Sequence, residues 1–536
     1  MRRTAASGKH KPVQQPCVLA IDLGTSGCKT ALVSLDGRVL GWAFQEIPTR
    51  LFPGGGAEQD PADWWQALLN TSRDVLSRNL APRDRVLGVC CSTQGEGTIP
   101  VDEQGMHLMN AILWMDARGA EHLRQITGGF PKVAGYGLRK LLRWIRVTGG
   151  APTLTGKDPA AHMLYIRDVH PEIYARTHKF LNVIDYLNAR LTGRLVATHD
   201  SIFTSWVTDN RDPAHIRYHE GLLRDCGIDR GKFPEIVPCT EKIAVLKPEV
   251  AELLGLNPAT AVIAGSIDNT AAAIGSGAIT DYAAHLYLGT SSWMGAHVPF
   301  KKTDIFQSMA SVPCALPDRY LLFAMQTTAG GNLTFLRDKI LYHKDGLLQE
   351  AHQPDVYKIM DQIAADTPPG SNGVIYTPWI YGERAPIEDR TVRAGIYNLS
   401  LENSRADIIR AFLEGIALNN RWLLGAFEKN LTRPVECLHL VGGGANSSVW
   451  CQIFADVLQR PVRQLADPIQ ANVIGAAFIG FTGLGEMSFD DVPSRVSIKA
   501  DYTPRAEWAD LYARYFAEFK ALYRQNKGTF RRLNSR

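Results

Sequence analysis

Three glycine-bearing turns and two aspartates hold most of the chemistry this sequence offers. Asp22 opens Asp22-Leu23-Gly24-Thr25-Ser26, set between two apolar runs within Val18 to Ser34, and the tetrad Leu-Gly-Thr-Ser recurs as Leu288 to Ser291 about half a chain later. A third turn, Gly442-Gly443-Gly444-Ala445-Asn446-Ser447, follows the apolar run Leu438 to Val441 and leads into SVWCQIFADVLQ, whose apolar residues fall at helical spacing. Asp268 stands just past the apolar run Ala261 to Gly265, in front of TAAAIGSG. Turns of this kind turn backbone N–H groups toward an anion. Carboxylates at strand ends can take a proton or hold a hard cation. The inventory suits nucleotide phosphates held by the backbone, with aspartates supplying a base and a metal ligand. Asp268 also fits a helix N-cap, a role compatible with chemistry, and a Gly-Thr-Ser turn in isolation is more often a plain hairpin turn.

The elements that must position these groups follow from the same patterns. Val18 to Ser34 reads as a β-hairpin, and the repeat at His285 to Val298 reads as a second one, which predicts two related halves. Asp60 before Pro61 predicts a helix start with a carboxylate cap and proline in the first turn. Short buried strands are predicted at Val86 to Ser92, Ile112 to Trp114, Ala261 to Gly265 and Leu438 to Val441, and a long amphipathic helix within Ser404 to Lys429. Ala120 to Ala160 is glycine-rich and its elements stay unassigned. The break between halves is expected in GLNPAT, Gly255 to Thr260.

Composition narrows the class. The chain has 536 residues, 45% hydrophobic and 21% charged, enough for several cores and typical of a folded, water-exposed protein. A net charge of +4 is too small for a nucleic-acid platform or a membrane-surface binder. No run of 18 apolar residues and no signal-like start is visible, so no membrane association is expected. Nine cysteines without a CxxC pair or histidine spacing for zinc point to a reduced cytoplasm. No GxxxxGK[ST], HExxH, GxSxG or GxGxxG motif is present, which removes those enzyme classes.

An ordered set of motifs then carries a resemblance. Asp22 to Ser26, Glu58-Gln-Asp-Pro61 with Trp64 and Trp65, Gln94, Trp114 with Asp116 and Arg118, Asp268, Leu288 to Ser291, Gly382-Glu-Arg384 with Pro386, Glu414-Gly415, Gly442 to Gly444 and Gly475-Ala-Ala477 follow the order of FGGY carbohydrate kinases, xylulokinase-like members above all, over about residues 17 to 500. The resemblance implies an α/β fold of two actin-like (ribonuclease H-like) domains around a central ligand cleft. The expected division is a loose tail at 1–14, a sugar-binding domain at 15–258, a nucleotide-binding domain at 259–505, and a terminal helix with a basic, solvated tail at 506–536. It implies ATP and Mg²⁺ as cofactors, a small-molecule sugar or polyol as partner, and leaves a homodimer open.

Residue by residue, Asp268 resembles the catalytic base and Asp22 the carboxylate that holds Mg²⁺ through water. Gly24, Thr25, Ser26, Gly289 and Thr290 resemble phosphate contacts; Gly331, Gly443, Gly444 and Asn446 resemble the nucleotide-binding turns. Gln94, Glu96, Trp114, Asp116, Asp268 and Asn269 resemble sugar ligands, with Asp116 and Arg118 equally able to form a structural ion pair. Lys29 stays outside the catalytic set, and the GER segment has no assigned chemistry. Where xylulokinases typically show Gln-Met-His-Gly, this chain has Gln94-Gly95-Glu96-Gly97, which predicts a roomier, more negative pocket able to bind vicinal hydroxyls through Glu96. The implied reaction is phosphorylation of a small neutral sugar, foremost a pentulose such as xylulose. A glycerol- or erythritol-type polyol kinase, or a catalytically inactive sensor of the same fold, are the alternatives.

Overall fold

The computed structural model describes residues 13–341 and 355–534; of the expected N-terminal tail, residues 1–12 lie outside them. Two sheets organise the chain, and they share one plan. In the six-stranded first sheet the order is Lys242–Val245, Ala261–Ile267, Val86–Thr93, Cys17–Gly24, Gly27–Ser34 and Val39–Glu46. Cys17–Gly24 pairs antiparallel with Gly27–Ser34 and parallel with Val86–Thr93, which is in turn parallel to Ala261–Ile267.

The eight-stranded second sheet repeats this. Ala284–Leu288 pairs antiparallel with Ser292–Val298 and parallel with Leu438–Val441, which is parallel to Val462–Leu465, and Ile498–Tyr502 closes that side antiparallel. The duplication hinted at by two Leu-Gly-Thr-Ser tetrads is therefore a duplication of topology. Both predicted hairpins are present, with the tetrads at their turns.

One expected boundary moves. The strand Ala261–Ile267 is the last in chain order of the six in the first sheet, so the break placed between 258 and 259 falls before that sheet is complete. The turn-rich GLNPAT segment is only the approach to a strand: Leu246 N–H donates to the Thr260 carbonyl across it. The chain leaves the first half only after the helix Asp268–Gly275.

Local signals account for the framework helices. Asp60 accepts from Ala62 N at 2.9 Å and caps Pro61–Ser77, as its sequence predicts. Ser404 and Asp407 form a capping box that starts the 27-residue helix Arg405–Leu431. Ala120 to Ala160, unassigned from sequence, contains helices Ala120–Thr127 and Leu138–Thr148 with a small hairpin between them. The expected strand Ile112–Trp114 is instead Ala111–Ile112, with Trp114 in the turn that follows.

The C-terminal segment is helical through its basic end, whose residues 523–534 are exposed or half-buried. It is the helix Ala509–Asn534, anchored by fully buried Tyr512 and Phe519 in the second core. There the Tyr512 hydroxyl donates to Glu414 Oε1 (2.8 Å), which also pairs with Arg410 (2.7 Å).

The halves meet through two helices in equivalent positions, Asp268–Gly275 and Ala471–Gly483. A Cβ on Gly275 would lie 1.9 Å from the Ala471 carbonyl oxygen, and a Cβ on Gly475 would lie 1.9 Å from that of Ala271. The reciprocal glycines bring two backbones into direct contact where the halves meet.

Candidate active site

Strand register assembles the acidic centre. Asp22 is opposite Ser92, and Ser92 is opposite Ser266, so Asp22 and the end of Ala261–Ile267 lie in one row two strand spacings, roughly 10 Å, apart. Asp268 begins the next helix, and its Oδ1 accepts from Asn269 N at 2.8 Å. The cap position is Ile267, so Asp268 is the first helical residue rather than the N-cap, and its carboxylate is turned to the site. Burial first, then the Asp22 carboxylate, pushes Asp268 up to about 7, the range of a base that works near neutral pH. Burial also raises Asp22, opposed by Lys29 and by a 3.3 Å hydrogen bond from Asn472 Nδ2.

Two further residues join the candidate site: Lys29, which the sequence reading set aside, and Asn472, which it did not single out. The Lys29 ammonium donates to the Ile469 carbonyl at 2.7 Å and sits 4.0 Å from Asp22, so it bridges the first hairpin to the segment leading into the helix Ala471–Gly483. Only a contact between residues 440 positions apart reveals this, and no local signal carries it.

The first turn is held from one side by Gln59, Gln94 and Trp114. Thr25 Oγ1 donates to Gln94 Oε1 (2.6 Å) and accepts from Trp114 Nε1 (3.0 Å), while Gln59 Nε2 donates to the Thr25 carbonyl (2.7 Å). Gln94 is buried and its amide also donates to Gln59 Oε1 (3.1 Å). Gln94 and Trp114 therefore brace the turn and leave Ser26 exposed at its tip. Asp116 takes the other of the two roles its sequence allows. It is 1% exposed, with its oxygens filled by Ala57 N (2.8 Å), Arg118 N (2.9 Å) and the Arg118 guanidinium. Arg118 also pairs with Glu58 at 2.6 Å. With both oxygens saturated by its own chain, Asp116 is structural and presents no acceptor to a sugar.

The second turn is strapped to a glycine pair. Ala329, Gly330 and Gly331 donate N–H groups to the carbonyls of Thr290, Gly289 and Thr290 at 2.8–3.0 Å. A Cβ on Gly330 would lie 2.6 Å from Gly289 O, so only glycine permits the approach. Beside it, Tyr287 stacks on Trp293 with ring centroids 3.8 Å apart; Asp22 and Asp268 both raise the Tyr287 hydroxyl, behind the dominant effect of burial. The halves have thus diverged at equivalent positions, a carboxylate in one and a phenol in the other. In the third turn, Gly442 has φ +89° and Gly443 borders open space, while Gly444 packs so closely on Trp450 that a Cβ would lie 2.7 Å from its ring. Asn446 Nδ2 closes the turn onto Gly443 O at 3.1 Å.

Glu96 adopts φ +60°, a left-handed conformation that costs a non-glycine residue about 1 kcal/mol or more. Burial raises its carboxyl, and Arg384 and Lys157 oppose that rise. The pocket is therefore not simply the more negative one that its sequence predicts. Arg384 from the second half and Lys157 from the first bring positive charge to Glu96, and Asp158 is pushed up to about 8 by burial and Glu96. The GER segment gains a role here. Buried Glu383 accepts from Thr327 N (2.8 Å), Arg384 N (2.8 Å) and Asn419 Nδ2 (2.6 Å), which fixes the backbone that presents Arg384. Asn269 Oδ1 accepts from Thr270 N at 2.7 Å.

A duplicated α/β fold with two hairpin turns and two carboxylates over a shared cleft defines a class, and the comparisons give it a family. Residues 17–275 match the N-terminal domain, and residues 284–484 the C-terminal domain, of the FGGY family of carbohydrate kinases. The chain belongs to that family and is a carbohydrate kinase. A xylulose kinase of Staphylococcus epidermidis is 27% identical over 518 residues, 95% of this chain and 97% of the relative; a gluconokinase of Bacillus subtilis is 25% identical over 500 residues, 92% and 93%. A gluconate kinase structure from Lactobacillus acidophilus superposes with a TM-score of 0.82 at 22% identity, covering 97% of this chain and all of that one. Plasmodium falciparum glycerol kinase with ADP superposes at 0.79 with 19% identity over 95% and 98%. The phosphate donor of the family is ATP. Among the described residues no helix is long and apolar enough to cross a membrane.

Proposed function

We propose that this kinase phosphorylates a small neutral sugar, foremost a pentulose such as xylulose, with Asp268 as the base that takes the proton from the attacking hydroxyl. The observation that carries this is the placement of Asp268: first residue of a helix, in the cleft, facing Asp22 along the sheet end, and tuned toward neutral pH by its surroundings. Asn269 and Glu96 supply polar contacts on the sugar side.

Asp22 fits a magnesium site. It offers one carboxylate, and among the described residues no cluster of three ligating side chains stands near it; Mg²⁺ commonly takes one or two carboxylates and completes its shell with water and phosphate oxygens. Bound there with ATP, Mg²⁺ would neutralise phosphate charge. Gly24, Thr25 and Ser26 in one half, and Gly289, Thr290, Gly331, Gly443, Gly444 and Asn446 in the other, are the groups proposed to hold the nucleotide. Their division between the halves implies closure on the ligands, which excludes water from the transferred group. The reduced, unpaired cysteines agree with a cytoplasmic enzyme.

A second reading has its own observation. Lys157 and Arg384 beside Glu96 could hold a carboxylate, so an aldonic acid competes with the neutral pentulose. Measuring ADP release with D-xylulose, other pentuloses, alditols and aldonates decides between them. Fastest turnover on a pentulose supports the first reading; fastest turnover on an aldonate replaces it; and no turnover on any of them overturns both.

A further inference from the structure

The strand that delivers Asp268 is held at its end by a carboxylate from a distant segment. Between Ile263 and Ser266 the pairing of Ala261–Ile267 with Val86–Thr93 shifts register, and Gly265 takes φ +77°. Within this irregularity the regular antiparallel pairing with Lys242–Val245 has ended, and the N–H groups go to the segment before that strand: Ala264 to Glu241 O and Gly265 to Cys239 O, both at 2.9 Å. Ile267, the residue immediately before Asp268, donates its N–H to Asp200 Oδ2 at 3.0 Å. Asp200 lies in the one-turn helix His199–Ile202 and is completely buried. Its other oxygen accepts from Thr198 Oγ1 (2.7 Å) and Cys239 Sγ (3.3 Å), and the Thr270 hydroxyl, two residues past Asp268, also supports the carboxylate.

A buried carboxylate is an expensive group to place at this junction, because neutral acceptors would take the same hydrogen bonds without desolvating a charge. Among the described residues Asp200 has no salt-bridge partner. The titratable groups around it are Asp185, Asp268 and the thiols of Cys239 and Cys314, none of them a cation. What the carboxylate does offer is two acceptor oxygens fixed in one plane, one on the Thr198–Cys239 side and one on Ile267, the residue that carries Asp268.

We propose that Asp200 is a positioning residue for catalysis: it clamps the strand-to-helix junction from which Asp268 reaches the sugar hydroxyl. The proposal rests on Asp268 being the base. It assigns Asp200 no contact with substrate or nucleotide.

Asp200→Asn tests it, because the amide keeps one acceptor and turns a donor against either Ile267 N or the Thr198–Cys239 pair. With ATP, Mg²⁺ and D-xylulose, or whichever panel sugar turns over fastest, kcat is expected to fall about 10- to 100-fold, the size of a small misplacement of a reacting group. KM for both substrates and the calorimetric Kd for ADP are expected to stay within about threefold. A kcat within about twofold of wild type, or a loss of kcat accompanied by comparable rises in both KM values, overturns the proposal. If Asp200→Asn does not fold, Asp200→Glu, which keeps the carboxylate but displaces its oxygens, is judged by the same criteria; failure of both to fold would make Asp200 a folding residue and also overturn it. Asp268→Asn run in parallel separates the two claims. Retained activity in Asp268→Asn removes the base assignment itself, whereas its loss beside a fully active Asp200→Asn removes only the clamp.

Discussion

Replacing Asp268 with Asn should cost activity and gain stability, with the gain growing as pH rises. On the activity side, loss of a general base lowers turnover by about 10² to 10⁴, which is roughly 2.7 to 5.5 kcal/mol of barrier, while binding of ATP and sugar stays near normal. On the stability side, burial and the nearby Asp22 move this carboxyl from 3.8 to about 7. The sign follows from linkage. A group raised on folding adds stability below its unfolded value, near pH 4, and loses that contribution as pH climbs through about 7. Above that range the ionised carboxylate costs the folded enzyme on the order of 4 kcal/mol, discounted for its partial exposure. Asn carries no such charge, so the advantage of the variant should widen by about 2 to 3 kcal/mol between pH 5 and pH 8. Coupled measurement of ADP release gives the first effect, and thermal melts of both proteins at the two pH values give the second. Full activity in the variant refutes the base assignment; a difference in Tm that is the same at pH 5 and pH 8 refutes the claim that folding raises the Asp268 carboxyl.

Other perturbations probe the remaining parts of the site. Glu96→Gln should raise the sugar KM by about 10- to 100-fold, the equivalent of roughly 1.5 to 3 kcal/mol for hydrogen bonds to a charged group; unchanged kinetics on the best substrate would remove Glu96 from the pocket. Asp22→Asn should raise the Mg²⁺ concentration for half-maximal rate by about tenfold or more while sugar binding, followed by calorimetry, is kept. Gly475→Val would drive a Cβ to 1.9 Å from the Ala271 carbonyl and should destabilise the fold by about 1 to 3 kcal/mol or more, visible as a lower Tm. Small-angle scattering with sugar and a non-hydrolysable ATP analogue should show compaction, and ATP hydrolysis without sugar should be slow; an unchanged radius of gyration would count against closure.

Much of the fold was legible in the sequence because the signals involved are local or repeated. Asp60 before Pro61 caps its helix as a short-range hydrogen bond dictates, and the two Leu-Gly-Thr-Ser tetrads mark hairpins because a tight turn between apolar runs has few other solutions. Ordered motifs also placed Asp22 and Asp268, since strand ends and glycine turns are visible one segment at a time. Tertiary structure alone decided which polar groups remain free to do chemistry. Asp116 and Glu96 look alike as carboxylates, yet Asp116 is saturated by Ala57 and Arg118 while Glu96 stands opposite Arg384 and Lys157. The break expected at GLNPAT misplaced a strand whose partner lies 170 or so residues earlier in the chain, because turn composition does not encode which sheet a strand joins. Lys29 reaching Ile469, and Asp200 holding Ile267, are likewise set by how the sheets and helices pack. Hydrogen-bond partners that far apart leave no period or spacing in the sequence; they exist only once the core has brought the segments together.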